Sequence, residues 1–106
     1  MKNLPLKLIF LVIFVNGCVQ TQEQVRRDYI DKHPELSERI REAILNGEII
    51  IGMAQEEVVA SWGAPWDKTT RDYDEVVIEI WHYIPYGGTY LFFEDGILTR
   101  WGRTKF

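Results

Sequence analysis

The order of patterns along this chain predicts an α+β fold: two to three N-terminal helices packed on a three- to four-stranded antiparallel sheet. Helical spacing of apolar residues is confined to the stretch before Gly63. After it, β-branched and aromatic residues gather in short runs separated by turn signals. Size is the third observation, because 106 residues, 46% of them hydrophobic and 26% charged, support one small domain. The same composition, with a formal charge of −4 and one cysteine, excludes a disordered chain, a collagen-like repeat and a disulfide scaffold. It also excludes a strongly basic nucleic-acid binder.

Residues 1–17 read as a signal peptide. Lys2 and Lys7 supply the positive start, and Leu8 to Val15 is an unbroken apolar run. That run falls short of the roughly 20 residues a membrane-spanning helix takes. Val15-Asn16-Gly17-Cys18 resembles the lipobox of bacterial lipoproteins. The resemblance implies cleavage before Cys18, a diacylated thiol and an acylated new amino terminus. Two or more acyl chains anchor stably where one binds marginally. Val19, standing where aspartate would direct retention, resembles a signal for the outer membrane. Cleavage leaves 89 residues, and the loss of Lys2 and Lys7 takes the charge from −4 to −6. Such a domain is a poor partner for nucleic acid or anionic headgroups.

Residues 18–33 are then a lipid tether and a short helix, from Gln24 to Lys32, with Val25, Tyr29 and Ile30 on one side. Residues 34–106 form the main domain. Pro34 suits the first turn of a second helix carrying Leu36, Ile40, Ala43 and Ile44 at helical spacing, and Asn46-Gly47 ends it. A third helix is expected from Gln55 to Trp62, with Gly63 at its end and Pro65 barring continuation. Glu57 provides half of a capping box there, but Ala54 stands where serine or threonine would cap, at a cost of about 1 kcal/mol.

Asp67 to Arg71 reads as a short edge strand and Val76 to Ile84 as a firm one. Pro85-Tyr86-Gly87-Gly88 is a turn, Thr89 to Glu94 a strand, Asp95-Gly96 a two-residue hairpin loop, and Ile97 to Gly102 the return. With both loops even in length, one face collects Ile78, Ile80, His82, Ile84, Leu91, Phe93 and Leu98. The other collects Trp81, Tyr83, Tyr90, Phe92 and Trp101, with Glu79 and Thr99. Both faces are apolar, so one is left for another element or a partner.

Ile51-Gly52-Met53, Glu57-Val58, Gly63-Ala64-Pro65, Trp81-His82-Tyr83 and Leu91-Phe92-Phe93-Glu94-Asp95-Gly96-Ile97-Leu98 follow one another in an order that resembles the SmpA/OmlA (BamE-like) family of small outer-membrane lipoproteins. The resemblance spans about Ile49 to Trp101. It implies helices on an antiparallel sheet, as in the repeat of the β-lactamase inhibitor proteins. It further implies a place in outer-membrane β-barrel assembly. The helical stretch from Thr21 to Asn46 departs from the family's extended segment near the lipid.

No cofactor, metal set or catalytic constellation is expected. His82 would need a carboxylate or a second ligand to act, and its aliphatic row reads more simply as core. His33 beside Pro34 reads as a cap or loop residue. Asp67, Asp72, Asp74 and Glu75 around Arg71 lack the glycine and terminal glutamate of a calcium loop and read as a solvated turn. A small hydrolase or metal enzyme built on His82 and these acids is the remote alternative. The leading expectation is a non-catalytic scaffold or binding subunit, held by its lipid on the periplasmic face of the outer membrane, that contacts another envelope protein through Trp81, Tyr83, Tyr90, Phe92 and Trp101. An inhibitor-like module using the same rings to occlude a secreted enzyme is the alternative, and self-association is left open.

Overall fold

In a computed structural model, which describes residues 20–84 and 88–103, three helices precede a four-stranded antiparallel meander of order β1-β2-β3-β4. The chain is α+β, as its patterning predicts. The expected signal peptide and Cys18 lie outside the described residues, as does most of the expected turn at Pro85. Among the described residues, no helix is long and apolar enough to cross a membrane.

Helix α1 (Gln22–Lys32) starts two residues earlier than its apolar spacing suggests. Thr21 accepts from the Gln24 N–H at 3.2 Å while the Gln24 side chain accepts from the Thr21 N–H at 3.2 Å, a reciprocal capping box. His33 caps its end, donating its backbone N–H to Ile30 and stacking on Tyr29 at 4.0 Å. Helix α2 (Glu38–Leu45) starts later than Pro34 suggested, because Ser37 accepts from the Ile40 N–H at 3.3 Å and fixes the cap there. Helix α3 (Gln55–Trp62) has the predicted bounds. The Glu57 carboxylate accepts from the Ala54 N–H at 2.7 Å, with no side-chain cap in return.

The strands are β1 (Asp67–Tyr73), β2 (Val76–Tyr83), β3 (Thr89–Glu94) and β4 (Ile97–Arg103). Two register features overturn the expected faces. Tyr83 pairs with Thr89, so residues 84–88 form an odd-length connection, and Trp81 shares a face with Leu91 rather than with Phe92. The Asp95-Gly96 loop is even, with positive φ at both residues, as a type I′ turn requires. A bulge then makes Thr99 an extra residue: Phe93 pairs with Leu98 but Phe92 with Arg100.

The core follows from this parity. Trp81, Tyr83, Leu91, Phe93 and Leu98 meet Ile40, Ala43, Ile44, Met53, Val58 and Ala60, and Tyr29, Ile30 and Trp62 pack around them. Several buried polar groups find partners, whereas the buried Arg41 Nε has none among the described residues. The Tyr83 hydroxyl donates to the Gly63 carbonyl at 2.7 Å, the Trp62 indole to Gly47 at 2.9 Å, and the Ser61 hydroxyl to Glu48 at 2.7 Å.

Candidate functional site

The helices cover one face of the sheet. On the other face, β2 presents Ile78, Ile80 and His82, and β3 presents Tyr90 and Phe92, all five half-buried by their own neighbours. The alternation of a strand puts them there, since Trp81, Tyr83, Leu91 and Phe93 point the opposite way. His82 stacks on Tyr90 with ring centroids 4.2 Å apart and planes 3° from parallel. The Arg100 guanidinium lies over Phe92 at 4.4 Å. Asp67, Thr69 and Arg71 of β1 continue the face beside His82, Ile80 and Ile78. The surface is therefore an apolar strip on β2 and β3, with a histidine and two rings along it, bordered by Asp67, Thr69 and Arg71 of β1 on one side and Arg100 of β4 on the other.

The five expected contact residues do not share a face. Trp81 and Tyr83, at 2% and 1% exposure, are core. Tyr90 and Phe92 lie on the open side. Trp101 pairs with Leu91 on the helix side, but β4 is an edge strand and the indole stays 46% exposed. The grouping failed at the odd connection of residues 84–88, which reversed β3 relative to β2. For the same reason His82 is not the core histidine its row suggested. Ile78 and Ile80 join the open face, while Leu91, Phe93 and Leu98, once grouped with them, are buried. Asp67 and Asp72 belong to β1, and Asp74 and Glu75 form its tight turn to β2, with all four exposed. Among the described residues, no three of His, Cys, Asp and Glu gather as a metal site.

A second concavity, a cleft of about 430 Å³, lies between α1, α3 and the sheet and is lined by Val25, Tyr29, Glu56, Val59, Lys68 and Trp81. Lys68 stands over the Trp81 ring at 4.7 Å, and the indole N–H donates to Glu79 at 2.6 Å. Burial, then the carboxylates of Glu57, Glu56 and Glu35, raises the Tyr29 hydroxyl above its ordinary pKa.

Comparison with protein-family models, curated proteins and solved structures finds no match for this chain.

Proposed function

We propose that this chain is a lipid-anchored, non-catalytic envelope protein of the SmpA/OmlA type, acting as a scaffold or binding subunit for another envelope protein in outer-membrane β-barrel assembly. The observation that carries the reading is the open sheet face. In a domain this small, Ile78, Ile80, His82, Tyr90 and Phe92 form one continuous surface opposite every described helix. Aromatic rings beside aliphatic side chains, with charge at the margin, suit a protein contact. The lipobox-like residues ending in Cys18 and the order of motifs from Ile49 to Trp101 support the envelope setting. Lipid attachment would raise the effective concentration of the domain for partners at the same membrane.

In-cell crosslinking with membrane fractionation tests both parts. Tyr90→Ala with Phe92→Ala should leave the protein folded and membrane-bound while its crosslinks to envelope proteins disappear. Cys18→Ala should move the protein out of the membrane fraction. Loss of folding in the double variant would place those rings in the core, and unchanged fractionation of Cys18→Ala would refute the anchor.

A further inference from the structure

The two edges of the sheet differ. Part of β4 is already covered: Leu98 donates its N–H to Met53 and accepts from the Gly52 N–H, each at 2.8 Å, and Ala54 bridges Ile97. β1 has no strand beyond it among the described residues, and all seven of its residues are exposed. An unpaired edge is a template for another strand.

Which β1 backbone groups face outward follows from the ladder. Asp95 donates to the Val77 carbonyl at 2.9 Å, so Val77, Glu79 and Trp81 turn their backbone groups toward β3. Ile78, Ile80 and His82 then bond toward β1, and the His82 carbonyl accordingly accepts from Trp66 at 2.8 Å. Their register partners Arg71, Thr69 and Asp67 bond inward. The outward N–H and C=O groups are those of Lys68, Thr70 and Asp72.

We propose that β1 pairs with β1 of a second copy of this chain, antiparallel about a two-fold axis at Thr70, joining two four-stranded sheets into one. In this register the outward residues meet one another. Thr70 faces Thr70, and Lys68 faces Asp72 of the second copy while Asp72 faces its Lys68. On the open side, Arg71 lies opposite Thr69 of the second copy and diagonal to both its Asp67 and its Arg71, and Tyr73 lies opposite its Asp67. Opposite charges at such cross-strand positions attract, and like charges would repel. A shift of two residues either way leaves two of the three outward residues paired within the strands and sets Thr70 against a charged side chain. The strand order Asp-Lys-Thr-Thr-Arg-Asp-Tyr is thus complementary to itself on the face that carries Lys68, Thr70 and Asp72. An axis normal to the sheet keeps both helical layers on one side and makes the two open faces continuous.

The full chain with Thr70→Cys tests the axis. Under mild oxidation it should form a dimer linked through residue 70, identified by mass spectrometry of the linked peptide. Lys68→Cys and Asp72→Cys chains should link to each other and not to themselves. Sedimentation equilibrium of the full chain in detergent provides the second arm. Lys68→Asp should weaken the dimer about tenfold, and adding Asp72→Lys should restore it. A chain that stays monomeric, a Thr70→Cys chain that does not link, or a dimer indifferent to the charge reversal would each overturn the proposal.

Discussion

At Ala54, a single missing oxygen leaves the α3 terminus half-capped. The residue has the extended backbone of an N-cap, φ −75° and ψ 159°, and Glu57 already supplies the reciprocal bond. Ala54→Ser adds an acceptor for the Glu57 N–H. It should stabilise the domain by about 0.5–2 kcal/mol, a gain of several degrees in the thermal midpoint measured by circular dichroism. Tyr29 makes a pH-dependent contribution of the opposite kind. Its hydroxyl pKa is raised in the folded chain, so the folded state holds the proton more tightly than the unfolded one. That contribution is complete below the unfolded value of about 10 and is lost as pH rises from there through the folded value. Denaturant midpoints from pH 8 upward should therefore fall in alkali. Tyr29→Phe, which keeps the ring stacked on His33, should remove that part of the slope.

At the scale of elements, α1 is held differently from the other two helices. None of its residues is buried. Instead, the Gln22 side chain donates to the Ala60 carbonyl at 2.8 Å and the Arg26 guanidinium to the Ser61 carbonyl at 2.9 Å. Those carbonyls belong to the last turn of α3, where a helix has no partners of its own and a cation is favoured. Arg26→Ala should loosen α1 selectively. Hydrogen exchange across residues 22–32 should accelerate more than tenfold, consistent with about 1.5–3 kcal/mol for a charged hydrogen bond, while the amides of β3 stay protected. Equal acceleration throughout would show that α1 unfolds only with the whole domain. Much of this layer was legible in advance. Gly63 and Pro65 bounded α3, and the Asp95-Gly96 pair marked its hairpin. Thr21 and Gln24 carried a readable capping box that the apolar spacing, beginning later, obscured. Ser37 overrode Pro34 because a bonded cap fixes a helix start more firmly than a residue merely tolerated in a first turn.

Across the whole molecule, the division between core and open face rests on one connection and one bulge. Neither residues 84–88 nor Thr99 announces its pairing, because a Tyr-Gly-Gly turn suits odd and even loops alike and a bulge needs no special residue. Composition showed that both faces were apolar, but the partition depended on a parity that only the register provides. Leu91 and Phe92 test that partition, being adjacent in sequence and opposite in orientation. Leu91 is fully buried among the helices, whereas Phe92 is half-buried beneath Arg100. Leu91→Ala should cost about 2–5 kcal/mol, a large share of the roughly 5–15 kcal/mol that stabilises a domain. Phe92→Ala should cost about 1 kcal/mol, because its ring forms part of a surface and leaves no cavity behind. Urea unfolding of the two variants decides the matter. The reverse ranking would mean that Phe92 and Tyr90 face the helices, and the surface proposed to meet a partner would then be the core.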